Sequence, residues 1–326
     1  MKGEVDMKWI SLRSLTSVVL ALVLAAAVAA CGSSDKKKSS SSSSSTQSSG
    51  ALPGKGKPAV TLGDKNFTEQ YILGQLYKQG LEAKGFKVNL KGNIGSSEVV
   101  DKALTSGKID MYPEYMEVIV TVLAGEEKNR PKSADEAYTR AKAFEAKRGF
   151  ELLDKTPFFN ADALAVKPAF AQKNGLKSTA DLKKLKSFTF GAPPENKTRY
   201  EGVVGMKQAY GLNNIQFKPL AIGLQYKALA DGQIDVAAVF TTDGQLQGGK
   251  LTVLTDPKGI FGFQNVAPVV SKKVLAKEGP AFAETLNAIS AKLTTEAMRK
   301  MNGAVDLDKQ DPAKVADQFL SANGLK

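Results

Sequence analysis

No histidine occurs among the 326 residues, and cysteine occurs once, at Cys31. The first absence removes Ser-His and Cys-His catalysis, imidazole metal ligation and histidine acid–base chemistry. The second removes an internal disulfide and any cysteine cluster for zinc. No nucleophile elbow, paired-carboxylate signature or metal-ligand spacing occurs either, so neither an enzyme nor a metal or cofactor is expected. Aromatic residues are scarce, at 7%, and a place where they gather needs a reason. What remains is an ordinary globular composition, 42% apolar and 24% charged, long enough for two domains.

The N-terminus is of a different kind. Lys2, Lys8 and Arg13 precede an apolar run from Leu15 to Val28, closed by "AVAAC". Residues 1–30 read as a secretory signal peptide, too short in the apolar core for a comfortable membrane span. "VAAC" resembles the lipobox of bacterial lipoproteins, which implies cleavage before Cys31 and lipidation of its thiol. Two or three acyl chains would anchor the mature chain stably, where one is marginal. Residues 31–57, rich in Ser, Gly and Lys, read as a flexible tether. The expected location is therefore outside the cytoplasm, on the cell membrane. The net charge of +12, without a nucleic-acid motif, points to anionic envelope polymers or lipids rather than nucleic acid.

From Lys57 onward β-branched runs alternate with helical patterns, the signature of an α/β fold. "PAVTLG" (58–63) and "FKVNL" (86–90) read as strands, and Thr68 to Lys84 as a helix between them. Ser96 or Ser97 is the expected cap of the next helix, with Gly107 at its end. Ser133 and Glu136 read as a capping box of a helix reaching Arg148. Asp311-Pro312 opens the last helix and Gly324 closes it.

The chain also echoes itself. "ALTSGKIDMYPEY" from Ala103 and "ALADGQIDVAAVF" from Ala228 share Ala-Leu-x-x-Gly-x-Ile-Asp, and each ends on an aromatic, Tyr115 or Phe240. Two similar lobes, each delivering a ring from the C-terminal end of an equivalent strand, would face those rings across one cleft. Tyr112, three residues before Tyr115, is expected to pack in the core, and Tyr71 and Tyr77 to be packing or surface residues.

"LGDKNFTEQYILGQLY", "GSSEVVDKALTSGKIDMYPEY", "GLQYKALADGQIDVAAVFTTDGQL" and "FQNVAPVV" resemble the substrate-binding proteins of osmoprotectant ABC importers. The resemblance runs from about Pro58 to Leu325. It implies a type II periplasmic-binding-protein fold, two α/β lobes joined by two hinge strands, with residues 58–160 and 262–326 in the first lobe and 161–261 in the second. It implies a monomer that takes a quaternary ammonium compound (glycine betaine, choline, carnitine or similar) and delivers it to permease subunits. A receptor for another cationic or zwitterionic solute, such as ergothioneine or another amino-acid derivative, is the alternative. A sensor or partner-binding lipoprotein is a third reading.

A trimethylammonium group has no N–H to donate, so aromatic faces hold it, at roughly 0.5–2 kcal/mol each. Carried over by position, the resemblance implies ligand contacts from Lys65, Tyr115, Asp162, Arg199, Phe240, Thr242 and Phe263 or Gln264. Asp162 and Phe240 stand where the family often has tyrosine. A carboxylate at position 162 would attract a bound cation by roughly 4 kcal/mol at 4 Å before desolvation. Arg199 is expected to engage a ligand carboxylate. Ser96, Ser97, Thr241 and Asp243 are expected first of all to shape caps and turns.

Overall fold

The computed structural model describes residues 51–326. The expected signal peptide, Cys31 and most of the expected tether lie outside the described residues. The last part of that tether differs from its composition: residues 53–56 form a turn, in which the Gly54 N–H donates to the Lys84 carbonyl at 2.9 Å. A Cβ on Gly54 would lie 2.2 Å from the Phe86 nitrogen, so glycine is what lets this segment dock. No helix among the described residues is long and apolar enough to cross a membrane.

Two five-stranded sheets carry the fold. The first contains β1 (Ala59–Gly63), β2 (Lys87–Lys91), β3 (Met111–Tyr115), β4 (Phe150–Leu152) and β10 (Val266–Ser271), in the order β2-β1-β3-β10-β4. The second contains β5 (Asp162–Val166), β6 (Phe188–Ala192), β7 (Ile215–Pro219), β8 (Val236–Phe240) and β9 (Thr252–Leu254), in the order β7-β6-β8-β5-β9. In each, three strands run parallel and the fourth in order is antiparallel to both its neighbours. Apolar clusters cover both faces of each sheet, as parallel strands require. The two lobes thus repeat one topology.

The sequence echo marks equivalent places in that topology. Gly107 and Gly232 both take the left-handed conformation, φ +72° and +73°, that ends the preceding helix. Ile109 and Ile234 are buried, and each packs against the strand glycine opposite, Gly63 or Gly191. The following aspartates bind the neighbouring strand: Asp110 accepts from the Thr61 N–H at 2.7 Å, and Asp235 from the Thr189 N–H at 2.8 Å. Each unit is a helix stop, an anchor and a strand start.

The helix Thr68–Ala83 buries Ile72, Leu73, Leu76, Tyr77 and Leu81 under the first sheet. Tyr112 and Tyr115 lie on opposite faces of β3, so Tyr112 enters the other core. Ser133 accepts from the Glu136 N–H at 3.1 Å, but Glu136 reaches the Lys132 N–H instead of completing the box. Ser96 sits at its helix N-cap with its hydroxyl donating to Glu98, so it caps by position alone. Asp311 caps the final helix, accepting from the Ala313 and Lys314 N–H groups.

Two segments connect the sheets, from β4 to β5 and from β9 to β10. They run side by side, with Phe159 bridging to Asn265 and the Asn160 N–H donating to the Gln264 carbonyl at 3.0 Å. The helix Thr295–Asp306 ties the second lobe further. Its Arg299 donates to the Thr241 carbonyl at 2.6 Å and its Gly303 abuts Gly244.

Candidate functional site

Strand ends from both lobes meet at a cavity of ≈ 70 Å³ that opens to solvent. Lys65 and Phe67 come from the loop after β1, Tyr115 from the end of β3 and Phe240 from the end of β8. Asp162 starts β5 and pairs with Phe240 in the antiparallel register. Asn160 and Gln264 belong to the two connecting segments, and Asn196, Arg199 and Glu201 to the irregular stretch after β6.

Three rings form a row. Phe67 stacks on Tyr115 with centroids 6.2 Å apart and on Phe240 at 5.7 Å. Tyr115 and Phe240 are therefore joined through a ring from the loop, not merely opposed. Lys65 brings a cation to that row: its Nζ lies 4.2 Å from the Tyr115 centroid and 5.7 Å from that of Phe67. The same ammonium donates to the buried Glu114 carboxylate and, at 3.1 Å, to Ser97 Oγ. Burial pushes the Lys65 pKa down, while Glu114 works against that shift. Lys65 thus reaches the cavity wall with its charge already partnered.

Beneath the rings lies Glu69, only 2% exposed. Its Oε1 accepts from the Tyr115 hydroxyl at 2.7 Å and from Asn160 Nδ2 at 2.9 Å. Its Oε2 accepts from Thr242 Oγ1 and from Asn302 Nδ2 at 3.1 Å. One carboxylate gathers both lobes and a connecting segment, with four donors offsetting its desolvation. The Tyr115 hydroxyl is raised well above its ordinary pKa by burial and by the Glu69 charge, so it stays a donor.

Asp162 faces the cavity with its pKa pushed up to about 7, by burial first and then by the Glu201 charge. Arg199, on the same wall, binds the Glu98 carboxylate with Nη2 at 2.8 and 2.9 Å, joining the lobes at the cavity mouth. Burial works to raise Glu98, but its bonds from Arg199 and Ser96 outweigh it and hold the pKa at about 2. The Arg199 Nε is buried and has no partner among the described residues. Arg130 makes a second crossing, to Glu201 at 2.9 Å and the Ile260 carbonyl at 3.1 Å.

Six of the residues singled out in the sequence, Lys65, Tyr115, Asp162, Arg199, Phe240 and Gln264, line the cavity; Thr242 and Phe263 do not. Thr242 is fully buried because its hydroxyl turns to Glu69. Phe263 is 36% exposed on the outer surface. Its N–H donates to the Glu117 carboxylate, and Gly262 before it is left-handed at φ +69°, so the chain turns that ring outward and Gln264 inward.

A family model for the substrate-binding domain of ABC-type glycine betaine transport systems matches residues 58–322. The chain belongs to this family. A glycine-betaine-binding protein of Pseudomonas aeruginosa is 33% identical over 278 residues, covering 82% of this chain and 88% of that protein. The carnitine transport binding protein OpuCC of Listeria monocytogenes is 30% identical over 289 residues, covering 85% and 91%. A crystal structure of a glycine betaine/carnitine/choline ABC transporter superposes with a TM-score of 0.67 at 27% identity, covering 82% of this chain and 99% of that one. The two lobes described above are thus those of a type II binding protein.

Sequence reasoning passed over Phe67 and Glu69 in this binding protein, although both stand in the quoted "GDKNFTEQ". Glu69 was available as a signal: an acidic residue in the first turn of a helix suits the helix dipole, which hid its second use.

Proposed function

We propose that this chain is an extracytoplasmic receptor that captures a quaternary ammonium solute, glycine betaine, choline, carnitine or similar, between its lobes and delivers it to ABC importer permease subunits. The row of Tyr115, Phe67 and Phe240 rings beside the Asp162 carboxyl carries this reading. Such a wall attracts a cation that cannot donate a hydrogen bond. The Lys65 ammonium on the same row supports its affinity for positive charge. Arg199, with a buried Nε still free of partners among the described residues, is the group that would meet a ligand carboxylate. Asp162 favours a second reading, a solute whose cationic end also bears N–H groups, such as another amino-acid derivative.

Calorimetric titration with glycine betaine, choline, carnitine, ergothioneine and basic amino acids separates the two. Saturable binding of a trimethylammonium compound, weakened by Tyr115→Ala, is expected. If no such compound binds at millimolar concentration, the solute class is wrong. We further propose that lipids on Cys31 hold the receptor at the membrane. Cys31→Ser should release it from the membrane fraction, and unchanged fractionation would refute the anchor.

A further inference from the structure

The repeated unit reaches further back than its shared letters. Counting four residues back from Ala103 and Ala228 gives Val99 and Leu224, and counting six gives Ser97 and Ile222. Ser97 and Ile222 both line the cavity. Val99 and Leu224, on the helices Ser97–Thr105 and Leu224–Ala230, both turn outward, 50% and 56% exposed. One turn later, again at one register, stand the exposed Lys102 and Lys227, the latter also bound to Asp231 at 2.8 Å. A lone exposed aliphatic residue needs no explanation. A pair at one register of a repeat, one on each lobe beside the cavity, does.

The two points are related in space as well as in sequence. Glu98, beside Val99, bonds Arg199 in the stretch after β6 of the other lobe. Ile222, just before the helix of Leu224, lines the cavity with Asn66 and Phe67 from the loop after β1. β1 and β6 hold the same place in their sheets. Each helix thus meets the equivalent loop of the opposite lobe, which is the arrangement of an approximate two-fold axis. Two matching points about such an axis fit a partner with a two-fold of its own. We propose that Val99 and Leu224 dock the receptor on its permease, and that the docked face belongs to two copies of one permease chain. The proposal rests on the receptor reading above. Each copy would offer an apolar hollow to the aliphatic side chain and a carboxylate to the lysine one turn on. A second copy of the receptor fits less well, because laying the two mouths together would oppose lysine to lysine.

The test places the photo-cross-linker p-benzoylphenylalanine at position 99 or 224 of the full chain, in the cells it comes from. Both positions are expected to yield an adduct with one and the same permease polypeptide, identified by mass spectrometry. Position 307, where Leu307 is exposed outside the repeat, should yield none, and an equal adduct there overturns the assignment. Leu224→Lys should lower the adduct yield at position 99 by about tenfold, because both contacts serve one docking event. Adducts with two different permease chains overturn the two-copy partner. Adducts with lipid or with a second copy of the receptor, or none at either position, overturn the docking surface. So does an unchanged yield at position 99 in Leu224→Lys. The cross-link needs no added solute, so a wrong solute class shows in the titrations and leaves this result intact.

Discussion

Tyr115 performs two separable tasks, and Tyr115→Phe divides them. The substitution removes the hydroxyl that donates to Glu69 Oε1 at 2.7 Å and keeps the ring stacked on Phe67. A hydrogen bond to a charged group contributes about 1.5–3 kcal/mol net. Glu69 retains donors from Asn160, Thr242 and Asn302, so the lower figure, about 1.5 kcal/mol, applies. For a domain of this size that corresponds to a Tm decrease of about 3–6 °C. Affinity for a quaternary ammonium solute should stay within about threefold, because the quadrupole of a phenyl face is close to that of a phenol. Tyr115→Leu removes the ring as well and should weaken binding by about 3- to 30-fold, the equivalent of one cation–π contact. Differential scanning calorimetry and isothermal titration of the three proteins read both effects. If Tyr115→Phe loses binding as fully as Tyr115→Leu while its Tm is unchanged, the ring is not the cation's partner and the Glu69 bond does not stabilise the fold.

The Glu98–Arg199 pair gives a pH signature. A carboxylate held at about 2 in the folded protein, against an ordinary 4.5, contributes stability that is present above pH 4.5 and lost as pH falls through about 2. Acid titration of wild type and Glu98→Gln by circular dichroism should show their stability difference shrinking over that window; a constant difference refutes the assignment. Asp162 has the opposite sign: with its pKa pushed up from 3.8 to about 7, its contribution is full below pH 3.8 and lost as pH rises through 7. Unliganded Asp162→Asn should therefore melt above wild type at pH 8. Affinity for a cationic solute should rise from pH 6 to 8 in wild type and stay flat in Asp162→Asn. Gly244→Ala places a Cβ 2.3 Å from Gly303 Cα, against backbone that cannot swing away. It should cost about 1–3 kcal/mol in urea unfolding, and an unshifted midpoint would show that the lobe junction is loose.

The repeated Ala-Leu-x-x-Gly-x-Ile-Asp unit was legible without coordinates because each of its parts acts locally. A left-handed glycine ends a helix, an isoleucine anchors the turn and a strand begins within four residues. Cavity residues at strand ends followed from the same register. That Tyr112 and Tyr115 take opposite faces depended on the strand continuing through Pro113, which the fold decides by pairing Pro113 with Pro268. What the linear chain could not reveal was which polar groups close on one another. Glu69 collects donors lying 46, 91, 173 and 233 residues away, and Arg199 is matched to a carboxylate 101 residues earlier. No spacing rule reaches that far. A buried carboxylate is tolerated only where the fold converges enough donors on it, and that convergence is a property of two lobes meeting. Tertiary structure alone drew Thr242 under the rings, turned Phe263 outward and placed Phe67 between Tyr115 and Phe240. The sequence by itself determined two lobes and the strand ends that meet between them; packing between the lobes decided which side chains form the wall.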